Sequence, residues 1–287
     1  MSAASPVAVL KIGGDVVSRP EALVELLRDV AALTSKGWRF AICHGGGPQA
    51  SDLQSRLGIP THKVGGRRIT DAATLQVMKL VLAGEVNVDL VATALAAGLD
   101  AIGISGVSAG LVHAERRPPI VVSGGGEAPV DFGYVGDVVG IRTGLLEHLW
   151  AGGYTPVINT LGVDTAAEGS ASPIFNINAD TVAAKIAGAL QADHLFALTN
   201  VPGVLRDKDD PTTRIPRLSA REARAAIADG VIVGGMIPKI EEALRNLEVG
   251  IGAVHILGVG AGALAAEAES PGSRGTVLVP ERAAAAT

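Results

Sequence analysis

Residues 7–14 read Val-Ala-Val-Leu-Lys-Ile-Gly-Gly, and this stretch predicts a buried strand with a ligand site at its end. A lysine in an apolar strand of a parallel sheet is costly unless its charge meets an anion. Ligands of open α/β sheets bind beyond the carboxyl ends of the strands, which is where Lys11 lies. Gly13 and Gly14 let backbone amides approach a bound phosphate. We therefore interpret Lys11 as a ligand-binding lysine; the alternative is a lysine on an edge strand whose ammonium group reaches solvent.

Outward from this strand, short apolar runs alternate with helical patterns along the chain. Such alternation is typical of βαβ units and predicts an α/β protein with a mostly parallel sheet. The predicted strands are 7–12, 38–43, 101–105, 155–159, 194–199, 253–257 and 276–279, and the main predicted helices are 20–36, 70–97, 143–150, 178–190 and one beginning at Pro238. We expect Gly84 to interrupt the long helix 70–97, and residues 108–140 to form hairpins.

Composition narrows the class of protein. The chain has 287 residues, with 24 Lys and Arg against 29 Asp and Glu and a formal net charge of −5. This balance argues against a nucleic-acid-binding protein and against electrostatic binding to anionic membranes. The sequence shows neither a basic signal segment nor the ~18 consecutive apolar residues of a membrane span, so we expect a cytoplasmic protein. The single cysteine, Cys43, excludes a disulfide framework, and its apolar neighbours predict a buried thiol.

Two further segments combine glycine with residues that suit anions. His44-Gly45-Gly46-Gly47 follows a predicted strand and opens a helix, where unpaired N–H groups and the helix dipole attract an anion. We interpret His44 itself as a packing residue. Arg68 lies at a glycine-containing turn before the next helix, and its guanidinium suits a carboxylate held by two parallel hydrogen bonds. A solvated basic pair, Arg67 and Arg68, is an equal alternative.

The second half of the chain supplies an aspartate and another lysine. In Asn176-Ile177-Asn178-Ala179-Asp180 one polar residue must cap the following helix, and the others are available to a ligand. Asp180 is placed to orient lysine ammonium groups. Lys239 lies in the first turn of the helix expected from Pro238, where a cation opposes the helix dipole. A phosphate shared by Lys239 and that helix end explains the mismatch; an exposed lysine is the alternative.

Together these residues provide two placed lysines, two glycine loops and one aspartate, without an evident general base. The sequence contains neither the G-x-x-x-x-G-K-[ST] phosphate loop nor a G-x-G-x-x-G dinucleotide motif. Phosphoryl transfer depends on positioning and cations more than on covalent chemistry by the protein. A carboxylate acceptor is ionised at neutral pH and needs no base. The residues therefore predict a kinase that forms an acyl phosphate.

An esterase is the alternative from another class. Gly106-Val107-Ser108-Ala109-Gly110 matches the G-x-S-x-G nucleophile elbow, HGGG segments also build oxyanion holes, and His255 lies downstream. The elbow requires a helix directly after Ser108, whereas residues 111–114 continue as an alternating run typical of a hairpin. The esterase hypothesis also leaves Lys11 and Lys239 without a role, so we favour the kinase.

Six motifs in order make the sequence resemble the amino-acid kinase family from Val7 to about Val279. These motifs are Lys11-Ile12-Gly13-Gly14, His44-Gly45-Gly46-Gly47-Pro48, Arg68-Ile69-Thr70-Asp71, Asn176-Ile177-Asn178-Ala179-Asp180, Thr199-Asn200-Val201-Pro202-Gly203-Val204-Leu205 and Gly234-Gly235-Met236-Ile237-Pro238-Lys239. The resemblance implies a three-layer αβα sandwich with a mainly parallel central sheet. It also implies an N-terminal lobe, residues 1–190, for the acyl amino acid and for dimerisation, and a C-terminal lobe, residues 191–287, for ATP.

The resemblance further implies an activity and a set of roles. The activity is ATP-dependent phosphorylation of the γ-carboxylate of N-acetyl-L-glutamate in arginine biosynthesis, with Mg²⁺ carried by ATP rather than held in a protein site. Lys11 and Lys239 would stabilise the transferring phosphoryl group, and Asp180 would organise them. The acyl amino acid would contact Gly46, Gly47, Arg68 and Asn176. The nucleotide would contact Gly13, Gly14, Asn200, Val201, Pro202, Gly203, Val204, Leu205, Val231, Ile232 and Val233.

Three features depart from the family pattern. Asn200 stands where many relatives carry Asp, and Gly258-Val259-Gly260 replaces a more polar Asp-Gly-Arg run. Only six residues precede the first strand, which leaves no room for the N-terminal helix that joins dimers of arginine-sensitive members into hexamers. We therefore expect a homodimer with weak or no inhibition by arginine. Two hypotheses compete with the N-acetylglutamate reaction: phosphorylation of carrier-linked α-aminoadipate in lysine biosynthesis, disfavoured by the Asn-Ile-Asn-Ala-Asp motif, and a catalytically silent module, disfavoured by the intact lysines and Asp180.

Overall fold

A computed structural model describes residues 5–122, 126–166 and 173–281 of the chain. The strands lie close to the positions predicted from the apolar runs, with several short strands added. They are β1 (Val7–Ile12), β2 (Arg39–His44), β3 (Lys63–Val64), β4 (Arg67–Arg68), β5 (Ala101–Ser105), β6 (Val112–Arg116), β7 (Gly136–Ile141), β8 (Thr155–Asn159), β9 (Leu161–Val163), β10 (Ile174–Asn176), β11 (His194–Thr199), β12 (Arg217–Ser219), β13 (Ala253–Gly258) and β14 (Thr276–Val279).

The helices alternate with these strands. They are α1 (Gly14–Val17), α2 (Pro20–Ser35), α3 (Gly47–Arg56), α4 (Ala72–Lys79), α5 (Asn87–Ala96), α6 (Gly144–Ala151), α7 (Ala179–Ala189), α8 (Ala220–Ala228), α9 (Met236–Glu248) and α10 (Ala263–Glu269). Short 3₁₀ turns lie at Ser108–Gly110 and Pro211–Thr213, and a π-helical segment, Leu80–Val86, joins α4 to α5.

One eight-stranded sheet runs through the protein in the order β12–β14–β13–β11–β1–β2–β8–β5. The six strands from β13 to β5 are mutually parallel, whereas β14 is antiparallel to β13 and parallel to β12. β1 lies between β2, which follows it in the chain, and β11, which belongs to the second half. The strand order therefore reverses at β1, and the carboxyl end of β1 is the place where α/β sheets bind ligands.

Helices cover both faces of this sheet. Apolar residues of α2, α5 and α10 pack on one face together with Ala8, Leu10 and Ile12 of β1. The other face packs against α6, α7, α8 and α9, and it includes Val7 and Val9 of β1. This arrangement confirms the three-layer αβα sandwich. Because side chains alternate along a strand, Lys11 projects toward the layer that contains α7 and α9.

Two predicted helix boundaries differ from the structure. The helix around Lys239 begins at Met236 rather than at Pro238. Proline is tolerated within the first turn because N–H groups there have no intrahelical partner, so its position does not mark the first residue. Gly84 does not interrupt the helix from Ala72 to Ala96, because the π-helical segment accommodates it without a break.

The region predicted as hairpins forms a second, four-stranded sheet in the order β10–β9–β6–β7. β6 pairs antiparallel with β7, which confirms the hairpin prediction for residues 108–140, apart from residues 123–125, which lie outside the described ranges. β10 ends at Asn176 and leads directly into α7. The second sheet thereby places the Asn-Ile-Asn-Ala-Asp motif beside the end of β1.

Two smaller predictions can also be compared with the structure. Cys43 is fully buried on β2, as predicted, and burial raises the pKa of its thiol to about 12. Across the described part of the chain, every helix is too short or too polar to span a bilayer.

Candidate active site

An ion pair joins the end of β1 to the start of α7. Asn178 caps α7, since its Oδ1 accepts hydrogen bonds from the backbone N–H groups of Asp180 at 2.8 Å and Thr181 at 3.3 Å. The Asp180 side chain is therefore not needed as a cap, and its Oδ1 lies 2.8 Å from Nζ of Lys11. The Lys11 side chain is only 16% exposed, so this lysine does not reach out into solvent as an edge-strand lysine would.

Lys239 reaches the same region from α9. Its Nζ donates a hydrogen bond to Oγ1 of Thr199, the last residue of β11, at 3.0 Å. Burial and the nearby charge of Lys11 lower the pKa of Lys239, while Asp180 acts in the opposite direction. Asp180 thus pairs with Lys11 and also stabilises the charge of Lys239 from a longer distance. This arrangement favours a bound anion, which would relieve the repulsion between the lysines.

The two lysines line a central cavity between α7 and α9. Its wall also contains Gly13 at the end of β1, Thr199 and Asn200 at the end of β11, and Glu242 on α9. The structure therefore brings together residues that the sequence analysis took from four separate motifs. They are Lys11, Gly13, Asp180, Asn200 and Lys239.

A second cavity adjoins the central one on the N-terminal side and contains every residue predicted for the acyl amino acid. Asp180 and Glu242 line both cavities, so the two adjoin at these side chains. Asn176 lies in the wall, with its Nδ2 donating to Oγ1 of Thr70 at 3.1 Å. The residues expected to contact this ligand and found in its wall are Gly46, Gly47, Arg68 and Asn176.

Arg68 is held in place rather than solvated. Its guanidinium donates to the Gly47 carbonyl oxygen at 2.9 Å and to Ser51 Oγ at 2.7 Å, and it also contacts Gln54 Oε1. Burial lowers the pKa of this guanidinium. These contacts attach β4 to the start of α3, and they orient a cation beside the glycine loop. The alternative of a solvated basic pair does not describe Arg68.

The glycine loop after β2 is packed on one side and open on the other. A Cβ at Gly46 would lie 2.9 Å from Leu82 Cδ2 and 3.3 Å from Val86 Cγ2, both in the π-helical segment. A Cβ at Gly47 would meet nothing within 4 Å. His44 is fully buried; its Nδ1 bonds to the Gly45 carbonyl oxygen, and its Nε2 accepts from Asn87 Nδ2 at 2.9 Å. The prediction that His44 is a packing residue is confirmed.

Two further cavities lie next to one another beyond the central one, and residues from the second half of the chain form most of their walls. One adjoins it at Thr199 and Asn200 and contains Val201 and Pro202, together with Gly258-Val259-Gly260. The next shares Val201 and contains Gly203, Leu205, Val231, Ile232 and Val233. The residues predicted for the nucleotide therefore form one path away from the lysines, with two exceptions.

Val204 and Gly14 are those exceptions. Val204 is fully buried in the core, and its backbone N–H donates to Thr276 Oγ1 at 2.8 Å, so its side chain has no access to these cavities. Gly14 lies against α3, where a Cβ would be 2.6 Å from Pro48 Cδ. Its glycine identity is explained by this close approach of two loops. The structure gives Val204 a place in the core and Gly14 a place in loop packing; a contact between the Gly14 backbone amide and nucleotide stays a prediction.

The structure does not support the esterase alternative. Ser108 lies in a 3₁₀ turn that continues into β6 rather than into a helix, and its Oγ accepts a hydrogen bond from the Ser105 backbone N–H at 3.1 Å. His255 is fully buried, with Nδ1 bonded to Glu267 Oε1 at 2.8 Å and Nε2 bonded to His194 Nδ1 at 3.0 Å. Both ring nitrogens are engaged, so His255 is not available as a base for Ser108.

Sequence reasoning missed Glu242, which lines both the central and the acyl cavity. Its position three residues after Lys239 was the available signal, because residues at i and i+3 lie on one face of a helix. Among the described residues, no cluster of three or more His, Cys, Asp or Glu side chains is arranged to hold a metal ion.

Comparison with known proteins is consistent with this geometry. A sequence model described as "Amino acid kinase family" matches residues 6–258. The chain belongs to the amino acid kinase family. A protein from Sorangium cellulosum named acetylglutamate kinase is 53% identical over 273 residues, which cover 95% of this chain and 94% of that protein. A protein of the same name from Methanopyrus kandleri is 44% identical over 84% of this chain and 91% of its own length.

Solved structures extend the comparison within this family. The N-acetylglutamate synthase from Neisseria gonorrhoeae, solved with coenzyme A and N-acetyl-glutamate, superposes with a TM-score of 0.77 and 25% identity. The alignment covers 97% of this chain and 60% of that one. A carbamate kinase from Giardia matches with a TM-score of 0.65 at 16% identity, which shows a shared amino acid kinase fold. Membership of the kinase family implies the use of ATP.

Proposed function

We propose that this enzyme transfers the γ-phosphoryl group of ATP to the γ-carboxylate of N-acetyl-L-glutamate and releases N-acetyl-L-glutamyl 5-phosphate and ADP. The observation that carries the proposal is the position of Lys11, Asp180 and Lys239 in the central cavity. This cavity adjoins the cavity that holds Arg68 and the path through Asn200 and Val201. Relatives that are 51–53% identical over about 95% of the chain carry the name acetylglutamate kinase.

The acceptor side of the proposal rests on the N-terminal cavity. A dicarboxylate such as N-acetyl-L-glutamate needs one cation for the carboxylate that stays free and another for the carboxylate that reacts. Arg68, fixed to the start of α3, supplies the first, and Lys11, which is paired with Asp180 in the wall shared by the two cavities, supplies the second. The Asn176 amide provides a neutral polar group for the acetamido moiety, and the open side of Gly47 leaves space for it.

The nucleotide side rests on the C-terminal path. Lys11 and Lys239 stabilise negative charge on the phosphoryl group as it transfers, and Asp180 orients Lys11 through the 2.8 Å ion pair. Mg²⁺ would arrive on the ATP phosphates and keep water as its other ligands. The adenosine end lies along Val201, Gly203, Leu205 and residues 231–233.

These positions support a proposal that the two halves of the chain bind different substrates. We assign the acyl amino acid and dimerisation to residues 1–190 and ATP to residues 191–287, with a homodimer as the assembly. Three exposed apolar side chains on the helical run from α4 to α5, Leu80, Val88 and Leu95, support a dimer contact in the N-terminal lobe. They are spaced by about two helical turns each and so face the same side. Light scattering tests this assembly: a monomer mass would contradict it.

An ADP-release assay tests the acceptor. N-Acetyl-L-glutamate, L-glutamate, L-aspartate and N-acetyl-α-aminoadipate are offered separately with MgATP, and a Lys239→Ala variant serves as the matched blank. We expect N-acetyl-L-glutamate to give the highest kcat/KM. A higher kcat/KM for N-acetyl-α-aminoadipate, or ADP release that does not depend on any acceptor, would contradict the proposal.

A further inference from the structure

Glu242 is a carboxylate placed where the proposed reaction brings together several negative charges. It lies on α9, partly buried, in the wall shared by the central and acyl cavities. Within the described ranges, its side chain makes no ion pair or hydrogen bond. A carboxylate in such a place is protonated, forms an ion pair with a cation, or repels an anionic ligand.

The groups around Glu242 define its electrostatic environment. Burial and the charge of Asp180 on α7 raise the pKa of Glu242, whereas Arg245 on α9 and Lys11 on β1 act in the opposite direction. Burial is the largest of these effects. The other charged residues in the walls of the two cavities are Asp15, Arg19, Arg67, Arg68, Arg117 and Lys239. Arg117 is already paired with Asp137, at 2.7 Å between Nη2 and Oδ1.

Substrate binding shifts the balance between the ionised and protonated forms of Glu242 toward the protonated form. The acceptor brings two carboxylates into the cavity that Glu242 lines, and ATP brings its phosphates into the neighbouring one. Each added negative charge near Glu242 further favours its uncharged, protonated form. Carboxylate and phosphate oxygens only accept hydrogen bonds, so Glu242 contacts them favourably only as a donor.

We propose that Glu242 binds the acceptor in its acid form, donating a hydrogen bond to a carboxylate oxygen of the acyl amino acid, and that acceptor binding therefore takes up a proton from solvent. This proposal rests on the proposed function. Glu242 thereby tunes the site to an anionic acceptor. In the alternative role, Glu242 is ionised and holds a cation. A substitution that removes its charge would then weaken acceptor binding, whereas the acid form predicts that acceptor binding is retained.

Calorimetry of N-acetyl-L-glutamate binding tests the proposal in wild type, E242Q, E242A and the control E241Q. Glu241 is the exposed neighbour on the same helix and lines neither cavity. Titrations in two buffers of different ionisation enthalpy, between about pH 5 and pH 8, give the number of protons taken up. Carboxylates of the free ligand do not titrate over most of this range.

We expect proton uptake in wild type and E241Q, and none in E242Q. E242Q keeps a hydrogen-bond donor and should retain acceptor affinity, whereas E242A should weaken it about tenfold and raise KM for the acceptor with little change in kcat. KM for the acceptor should rise with pH in wild type but not in E242Q. KM for MgATP should be similar in all four proteins.

Three results would overturn this role. Equal proton uptake in wild type and E242Q would assign the uptake to another group, such as Lys239. Acceptor affinity lost equally in E242Q and E242A would show that a neutral donor does not suffice. A wild-type enzyme without proton uptake would contradict the proposal independently of any variant. If wild type fails to phosphorylate N-acetyl-L-glutamate at all, the proposed function fails instead, and the ADP-release assay detects that case separately.

Discussion

Lys11 and Asp180 form an ion pair, with 2.8 Å between Nζ and Oδ1, at the point where the central sheet reverses its strand order. The pair joins the end of the first strand to the start of a helix that begins after residue 178. Lys239, by contrast, donates to the hydroxyl of Thr199 and has no carboxylate of its own within 4 Å among the described residues. The site thus presents one paired and one unpaired ammonium group to a polyanion.

Lys11→Ala and Lys239→Ala should each lower kcat more than they raise KM, because the charge of each lysine is needed most in the transition state. Loss of one such contact commonly costs about 100-fold or more in rate. Steady-state kinetics with both substrates varied provide the measurement. Lys185→Ala, an exposed lysine on α7, is the matched control and should behave as wild type. Near-normal kcat in both active-site variants would show that neither lysine stabilises the transferring phosphoryl group.

Arg68→Ala should raise KM for N-acetyl-L-glutamate by about tenfold or more and leave KM for ATP nearly unchanged, because the guanidinium lies only in the acyl cavity. Lys63→Ala, in the strand paired with that of Arg68, controls for the local change in charge. Equal increases in the two KM values would show that Arg68 supports the fold of the site rather than the acceptor.

Gly46→Ala and Gly47→Ala should separate packing from binding. The Cβ added at Gly46 meets Leu82 and Val86, the ends of two side chains that can shift slightly, so we expect a loss of about 1 kcal/mol and a Tm lower by about 2–4 °C. The Cβ at Gly47 meets only open space, so Tm should stay at the wild-type value while KM for the acceptor rises. A Tm lowered more by Gly47→Ala than by Gly46→Ala would contradict this assignment.

The comparison of sequence and structure shows where local patterns suffice. The apolar run of β1 and the glycines after it were enough to place Lys11 at a ligand-binding strand end, because strand burial and side-chain alternation are local properties. The burial of Val204, which was predicted to contact nucleotide, was not predictable in this way. Its motif is contiguous in sequence, but the backbone turns at Gly203, with φ +146°, and sends the next side chain into the core.

Glu242 illustrates the other limit. Its helical spacing from Lys239 was visible in the sequence, but its proximity to Asp180 depends on how α9 faces α7 across the central cavity. That relationship arises from the packing of two helices on the same sheet face. Distances between residues on different helices are set by the packing of the whole core, so the position of Glu242 beside Asp180, in the wall shared by the two cavities, is seen only in the folded chain.

His44 should make the folded state sensitive to acid. Burial lowers the pKa of His44 to about 4, below the usual 6.5, so the unfolded chain binds the extra proton first as pH falls. The free energy of unfolding should therefore be undiminished by this group above pH 6.5 and should fall by about 3 kcal/mol as pH decreases from 6.5 to 4. Urea unfolding at pH 7 and near pH 4 measures this loss.

His44→Gln is the variant that isolates this contribution, since glutamine carries polar groups in the same place without a titratable ring. Its loss of stability between the two pH values should be smaller than that of wild type by about 2–3 kcal/mol, even if it is less stable than wild type at pH 7. Equal losses in the two proteins would assign the acid sensitivity to other residues.

Trapping of the acyl phosphate with hydroxylamine tests the central claim most directly, because it detects the bond that the proposed reaction forms. N-Acetyl-L-glutamate, MgATP and enzyme together should give N-acetylglutamyl hydroxamate in step with ADP. Omission of either substrate, or use of the Lys239→Ala variant, should give little or none. ADP release without hydroxamate, or hydroxamate formed from another carboxylate in preference to N-acetyl-L-glutamate, would contradict the account.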